Sequence, residues 1–202
     1  MSIDVKITQW ANGNLQSIRI YNENGQLHNK NGPSVQWWHE NGQEQMRKYY
    51  LNDVLHREDG PAVQEWYDSG QEQLRGYWLN GSLHREGGST IQRWFDNGQE
   101  QLREYLLNGI LHREDGPAMQ RWHRNGQEVR REYVINNKLH REDGPAVREW
   151  DMQGLWYRYE YFLNGEKYTK EGWEKEVNSI IVKANGKSVR ISKESAKNLG
   201  LI

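Results

Sequence analysis

A short string of ionisable residues recurs along the chain, and it contains residue types that acid–base chemistry uses. Its clearest copy is His56-Arg57-Glu58-Asp59, and similar strings begin at His84, His112 and His140. A His-Arg pair followed by an acid also occurs in the catalytic loop of protein kinases, but the sequence has no glycine-rich nucleotide loop and no metal-binding DFG segment. Because an enzyme needs its catalytic group once and this string recurs, we predict a structural turn network and no catalysis.

The histidines of these strings do not have the spacing of metal ligands. Metal coordination requires several ligands within about 2.1 Å of one point, whereas a regular spacing spreads the imidazoles along a line. The chain has no Gly-x-Ser-x-Gly elbow and no cysteine, which excludes thiolate catalysis, disulfides and sulfur-bound metals. We therefore predict a non-enzymatic protein with no metal and no other cofactor.

Composition limits the partners that the chain as a whole attracts. Its 202 residues include 27 Lys and Arg against 28 Asp and Glu, so no overall charge favours nucleic acid or anionic lipid. The aromatic residues are 10 Trp and 11 Tyr against 2 Phe, and rings with a polar group suit surfaces that are wet on one side. The start has no apolar signal core, and no run approaches about 18 apolar residues. We predict a soluble cytoplasmic protein without a membrane span.

An internal repeat of 28 residues must position these side chains. Shifting the chain by 28 residues aligns a tryptophan column, which comprises Trp10, Trp38, Trp66, Trp94, Trp122 and Trp150. The same shift aligns a tyrosine column, which comprises Tyr21, Tyr49, Tyr77, Tyr105, Tyr133 and Tyr161. Six copies cover residues 5–172, and residues 173–202 match none of them. We predict two units, a repeat array and a C-terminal segment.

Each copy contains two alternating runs separated by turn residues. In the copy from Pro61 to Gly88, PAVQEWY and EQLRGYWLN flank Ser69-Gly70, and Asn-Gly takes this position in other copies. This is a strong β-hairpin signal, and Asn80-Gly81 marks a second turn. We predict an all-β fold, an elongated, twisted antiparallel meander of six β-hairpin repeats. A β-solenoid is the alternative, but it would stack equivalent arginines about 4.8 Å apart in like-charge contact.

Pairing the strands outward from a two-residue turn at Asn41-Gly42 divides the side chains between two faces. The predicted cross-strand pairs are Trp38 with Gln45, Gln36 with Arg47, and Ser34 with Tyr49. The columns on this face vary little between copies, and we name it the constant face. The opposite, variable face carries residue types that are enriched at protein interfaces, although drift of a solvated face is the alternative explanation. The candidate partner-binding residues are Trp37, Tyr50, Tyr67, Trp78, Arg93, Phe95, Arg121 and His123.

The constant face combines arginines with tryptophans, and it has two interpretations. Guanidinium groups stacked on indoles contribute about 0.5–1 kcal/mol each when exposed, which suits the packing layer of a sheet. The same groups suit a strip that binds a nucleotide or single-stranded nucleic acid by stacking. The candidate anion-binding residues are Arg47, Arg75, Arg103, Arg131, Trp66 and Trp94. Glu72 and Glu100 beside the arginines weigh against phosphate binding, which needs a net positive track.

The C-terminal segment has its own pattern. Two short runs of strand formers flank Asn185-Gly186, and a helical stretch follows with Ser192 as its N-cap and Gly200 just past its end. We predict a small ββα unit that caps the open edge of the last hairpin. The alternative is a basic docking module, whose residues are Lys183, Lys187, Arg190, Lys193 and Lys197.

The NGQE, YxxNG and HREDGPA strings resemble those of the MORN-like repeat proteins, particularly bacterial and phage variants that are often labelled antitoxin-like. The resemblance covers about residues 5–172, although the 28-residue unit and its LHREDGP insert depart from the ordinary motif. It implies protein scaffolding, with lipid contact in some members. We therefore predict a protein-binding repeat module that acts as a phage or bacterial inhibitor or antitoxin by occluding a target protein. The alternative function is binding of a nucleotide or single-stranded nucleic acid by the constant face.

Overall fold

The fold is a long, open antiparallel sheet, as the alternating runs predict. The computed structural model describes residues 3–184 and 187–202, and these form a main sheet of 13 strands. The first strand of each inner copy pairs with the second strand of its own copy and with the second strand of the preceding copy. Equivalent strands therefore lie two strands apart. This arrangement confirms the meander and excludes the solenoid.

The elements, in chain order, are β1 (Asp4–Gln9), β2 (Leu15–Tyr21), β3 (Val35–Trp38), β4 (Glu44–Lys48), β5 (Tyr50–Leu51), β6 (Val54–Leu55), β7 (Val63–Trp66), β8 (Glu72–Gly76), β9 (Trp78–Leu79), β10 (Ser82–Leu83), β11 (Ile91–Trp94), β12 (Glu100–Glu104), β13 (Leu106–Leu107), β14 (Ile110–Leu111), β15 (Met119–Trp122), β16 (Glu128–Glu132), β17 (Val134–Ile135), β18 (Lys138–Leu139), β19 (Val147–Trp150), β20 (Trp156–Leu163), β21 (Glu166–Tyr168), α1 (Lys170–Val177), β22 (Ser179–Ala184), β23 (Lys187–Ser192) and α2 (Lys193–Asn198). The main sheet has the order β1-β2-β3-β4-β7-β8-β11-β12-β15-β16-β19-β20-β21. The pairs β5–β6, β9–β10, β13–β14 and β17–β18 are short hairpins outside that order.

The main turn of each copy is one residue longer than predicted. Between β3 and β4, the His39 carbonyl accepts the Gly42 amide at 2.9 Å, and the Gln43 carbonyl accepts the His39 amide at 2.8 Å. The loop therefore has three residues. Gly42 has a φ of 87°, a left-handed conformation that glycine adopts without steric strain.

A β-bulge in β4 compensates for the longer turn. It places Trp38 opposite Glu44, so the predicted pair of Trp38 with Gln45 is wrong. The extra turn residue and the extra bulge residue shift the register in opposite senses. The predicted pair of Gln36 with Arg47 is therefore confirmed.

Small residues precede the first strand of the second to sixth copies because the backbone approaches them closely. Ser34 is fully buried, and its hydroxyl donates to the Tyr50 carbonyl at 2.9 Å and accepts the Tyr50 amide at 3.1 Å. Ser34 thus contacts Tyr50 and forms no strand pair with Tyr49, contrary to the prediction. The equivalent residues in later copies, all small and all fully buried, are Ala62, Thr90, Ala118 and Ala146.

The first copy is offset by one residue from the other five. Ser17 pairs with Trp37, whereas Met46 pairs with Glu65 in the next copy, so structurally equivalent residues of these hairpins are 29 apart. Arg19 accordingly stacks on Trp37. The predicted columns are therefore wrong by one residue for Trp10 and Tyr21, because the second turn of the first copy, between Ile20 and His28, is one residue longer than the turn between Tyr49 and His56.

The most buried aliphatic side chains of the inner strands lie on the variable face. They are Val35, Val63, Leu74, Met119 and Val147. Trp78 lies over the backbone of Gly76 on this face, and a Cβ added at Gly76 would come within 2.1 Å of the indole. The aliphatic core is therefore thin and one-sided, and the constant face packs through polar and aromatic groups.

The C-terminal segment covers the last hairpin with a helix that the sequence did not predict. Helix α1 follows the N-cap Thr169, and its Trp173 packs on Tyr161 at 5.0 Å between ring centroids. The Trp173 indole also donates to the Arg141 carbonyl at 2.8 Å. The predicted ββα unit follows as β22, β23 and α2, and Ser192 accepts the Ser195 amide as its N-cap. The predicted Asn185-Gly186 turn lies outside the described residues.

Neither α1 nor α2, the two helices in the described ranges, is long enough and apolar enough to cross a lipid bilayer.

Candidate functional site

The constant face carries an ion-pair network that recurs in four hairpins. In the β11–β12 hairpin, Arg103 donates to Glu100 from Nε at 2.9 Å and from Nη2 at 2.5 Å. Gln92 donates to the same carboxylate at 3.3 Å. Residues three apart lie on opposite faces of a regular strand, and the β-bulge brings Glu100 and Arg103 to one face. The equivalent pairs are Arg47–Glu44, Arg75–Glu72 and Arg131–Glu128.

Each of these arginines also stacks on the tryptophan of the following copy. The guanidinium carbon lies 4.9 Å from the Trp66 ring centre for Arg47 and 5.4 Å from the Trp94 ring centre for Arg75. The hydrogen bonds that Arg103 donates to Glu100 raise the pKa of the guanidinium, which therefore stays charged. The network thus joins consecutive copies through side chains as well as through the backbone.

The predicted anion-binding residues lie together on the constant face, but each arginine already holds a carboxylate. The sequence places Glu72 and Glu100 near the arginines, but only the β-bulge makes these carboxylates bidentate partners of Arg75 and Arg103. The recurring spacing of a glutamate three residues before each arginine was the available signal. Because the charges cancel within each copy, the four central pairs do not form a net positive track.

Cross-strand pairing arranges the side chains of the variable face in rows, and one row holds several of the predicted partner-binding residues. From β3 to β15 this row comprises Trp37, Met46, Glu65, Leu74, Arg93, Leu102 and Arg121, and Arg130 of β16 lies opposite Arg121. Arg93 and Arg121 are exposed and lie two strands apart, or about 10 Å. Leu102 lies between them. The structure therefore brings three of the predicted partner-binding residues, Trp37, Arg93 and Arg121, into a single row.

The other predicted partner-binding residues lie outside that row. Tyr67, Phe95 and His123 follow the first strands at the main turns, and the Tyr67 hydroxyl donates to the Trp94 carbonyl of the next copy at 2.9 Å. Tyr50 and Trp78 begin the short hairpins β5–β6 and β9–β10. The eight predicted residues therefore form several groups and not one continuous patch.

The arginines of the variable face fall into two electrostatic classes. Arg130 is paired with Glu132 and Glu149, and Arg158 with Glu149 and Glu160. In contrast, Arg93 and Arg121 form no direct ion pair with any residue that the structure describes. Burial raises the pKa of Glu104, and the charges of Arg121 and Arg93 oppose that rise. These two exposed arginines are therefore accessible to a partner.

The HREDG strings form the predicted turn contacts. Arg57 stacks on Tyr49 at 4.1 Å, donates to Asp59 at 2.9 Å and donates to the Pro61 carbonyl at 3.3 Å. The His56 Nδ1 atom accepts the Asn80 amide of the next copy at 3.2 Å. The strings therefore stabilise loops and connect neighbouring copies.

Comparison with models of protein families gives no match to this chain, and no curated protein matches it. The MORN-like resemblance therefore rests on the repeat strings alone. The row on the variable face and the network on the constant face are the two surfaces whose chemistry bears on function.

Proposed function

We propose that the protein is a non-enzymatic protein-binding module whose partner contacts the variable face. The observation that carries this proposal is the row in which Leu74 and Leu102 alternate with the exposed Arg93 and Arg121. Arginine beside apolar side chains is a common composition at the centre of protein interfaces. The residue types in the row also change from one copy to the next. The two ends of the row therefore differ, which allows a specific partner to bind in one orientation.

The chemistry of the row defines the kind of partner. Two unpaired guanidinium groups about 10 Å apart favour a protein surface that carries carboxylates at a matching separation. Leu102, which lies between the two arginines, favours an apolar side chain between those carboxylates. We infer an acidic partner surface with an apolar centre.

The MORN-like resemblance adds a biological hypothesis to this chemistry. Bacterial and phage repeat proteins of this kind are often labelled antitoxin-like, and a long sheet suits the occlusion of a target. We propose that the protein acts as an inhibitor or antitoxin that covers the active or binding surface of a host or toxin protein.

Binding of a nucleotide or single-stranded nucleic acid along the central constant face is the rival proposal. A bound phosphate there would compete with Glu44, Glu72 and Glu100 for arginines that these carboxylates already hold. Such competition costs the hydrogen bonds of the existing pairs. The geometry therefore supports the protein-binding proposal better.

A pull-down with charge-reversed variants tests the proposal. The full chain is tagged, and lysate of the cells that produce it is passed over the wild type, Arg93→Glu/Arg121→Glu and the control Lys193→Glu/Lys197→Glu. Both variants change the charge equally, and the control lies in α2, which also tests the basic docking alternative. Because all four residues are exposed, each variant is expected to fold, with unfolding free energy within about 1 kcal/mol of the wild type.

We expect one stoichiometric, nuclease-resistant protein that the control retains and the arginine variant loses at least tenfold. Loss from the α2 variant alone would assign binding to the C-terminal segment. Recovery of nucleic acid without an enriched protein, read by absorbance at 260 nm, would support the rival proposal.

A further inference from the structure

The last hairpin replaces the three polar residues of the constant-face network. At the position of Gln120 it has Arg148, at the position of Glu128 it has Trp156, and at the position of Arg131 it has Tyr159. The hairpin nevertheless keeps the register and bulge of the earlier copies. The backbone is therefore repeated while the chemistry of the surface changes from neutral to cationic and aromatic.

The change creates a like-charge pair between hairpins on the constant face, where the earlier copies have an arginine opposite a glutamine. Between hairpins, Arg47 lies opposite Gln64 and Arg103 opposite Gln120, but Arg131 lies directly opposite Arg148. Like charges at this position destabilise a sheet. Arg131 is paired with Glu128, whereas the half-buried Arg148 has no carboxylate partner within ion-pairing distance among the described residues. An anion beside Arg148 would relieve the repulsion.

A cavity of about 340 Å³ lies beside this arginine. Arg148, Trp150, Tyr159, Tyr161 and Lys170 line it, with Pro145 and Arg158 completing the wall, and no acidic side chain takes part in the described lining. Its volume is at the lower end of the range for small-molecule pockets. The guanidinium of Arg158 is already held by Glu149 and Glu160. Lys170 makes only a longer, solvent-exposed ion pair with Glu174 at 3.8 Å, so Arg148 and, beside it, Lys170 are the cations that a ligand would meet.

The aromatic walls are held in place by their neighbours. Tyr161 packs on Trp173 of α1 at 5.0 Å and meets the Tyr159 ring edge-on at 5.8 Å. The Arg131 guanidinium stacks on Trp150, with 5.1 Å between the guanidinium carbon and the ring centre. Lys170 is the first residue of α1, so the C-terminal segment contributes one wall of the cavity as well as covering the sheet.

We propose that this cavity binds a small organic anion that carries an aromatic ring, of the chemical class of a nucleoside monophosphate. Arg148 and Lys170 bind the anionic oxygens, and Trp150 and Tyr161 contact the ring. A guanidinium binds phosphate oxygens with two parallel hydrogen bonds, and bases stack on aromatic side chains with little sequence preference. This site is on the face opposite the proposed protein interface and is independent of it.

Calorimetric titration of the full chain with adenosine monophosphate at low ionic strength tests this site. Arg148→Gln is the central variant, because it restores the glutamine of the earlier copies and is expected to fold. Arg121→Gln is the matched control, since it removes the same charge from the opposite face. Lys170→Gln, at an exposed helix position, provides a second variant.

We expect the wild type and Arg121→Gln to bind equally, and Arg148→Gln and Lys170→Gln to bind at least tenfold and threefold more weakly. Inorganic phosphate and adenosine, each alone, are expected to bind at least tenfold more weakly than the monophosphate. The proposal is overturned if the wild type shows no binding at millimolar concentration, if phosphate binds as tightly as the monophosphate, or if Arg121→Gln weakens binding as much as Arg148→Gln.

Discussion

The β11–β12 and β19–β20 hairpins have the same backbone and opposite surface chemistry. In the first, Arg103 is paired with Glu100 and faces Gln120 across the next strand. In the second, Arg148 faces Arg131, and its neighbours are aromatic. Both hairpins have the same bulge next to their tryptophan. The ion pair is therefore not required for the register, which the turn and the cross-strand backbone bonds maintain.

This difference indicates how the repeat can acquire a site. In the central copies, the polar groups of the constant face satisfy one another, and a ligand gains little by displacing them. Replacement of the glutamate and the glutamine in the last copy places Arg148, which has no direct ion pair with a described residue, next to aromatic rings. One unit of the array is thus specialised without a change in fold.

The largest expected effect comes from removing the carboxylate that pairs with Arg131. Glu128→Gln should lower the free energy of unfolding by about 2–3 kcal/mol, because Arg131 loses its ion pair and still faces Arg148 across the sheet. The matched variant Glu100→Gln should lower it by about 1–2 kcal/mol, since Arg103 faces a neutral glutamine. Urea unfolding followed by circular dichroism measures both. Equal losses would show that the arginine pair adds no repulsion.

A smaller effect of opposite sign is expected when the last hairpin is made like the others. Arg148→Gln should raise the free energy of unfolding by about 0.5–1 kcal/mol, because it removes the like-charge pair. The same denaturation experiment measures this gain, with Lys138→Gln, at an exposed position opposite Ile135, as the control for loss of one charge. A decrease in stability would mean that Arg148 packs favourably without a ligand and would weaken the case for an anion site.

The smallest expected effect is on stability at low pH. It distinguishes the HREDG loops, which contain an aspartate, from the loop that lacks one. The hydrogen bond from Arg113 lowers the pKa of Asp115, whereas the loop after His84 has Gly87 at the aspartate position. A folded pKa below the unfolded value of about 3.9 means that this stabilisation is complete above that value and is lost as the pH falls through the folded pKa. Asp115→Asn should therefore narrow the difference in melting temperature between pH 6 and pH 3.

The control for this prediction is Glu86→Gln, in the loop that lacks the aspartate. It should leave the difference in melting temperature unchanged. The prediction is contradicted if Asp115→Asn leaves the difference as large as in the wild type.

Much of the fold was predictable from local pattern. The alternating runs and their turn residues predicted the meander, and the pairing of Gln36 with Arg47 was correct although the turn length was not. The pair of Trp38 with Glu44 was not predictable from a two-residue turn, because the bulge adds a residue that no turn motif marks. The one-residue offset of the first copy was also not predictable from the sequence, since the tryptophan and tyrosine columns still align at 28 residues.

The candidate sites were also predictable only in part. The residue types of the variable face pointed to Arg93 and Arg121, but only the register shows that Leu102 separates them in one row. The replacement of the glutamine of the earlier copies by Arg148 is visible when the sequences of the copies are aligned. Its position opposite Arg131 depends on pairing between hairpins, which no single copy specifies.

By itself, the sequence determined the repeat, the hairpins and the two-faced character of each strand, because turn preference and alternation act over a few residues. The tertiary structure decided which glutamate reaches which arginine and which copy is left with an unpaired cation. It also decided that α1 covers the last hairpin. These contacts join residues of different strands and copies, so they depend on β-bulges and strand register. Bulges and register are set only when the whole sheet is assembled.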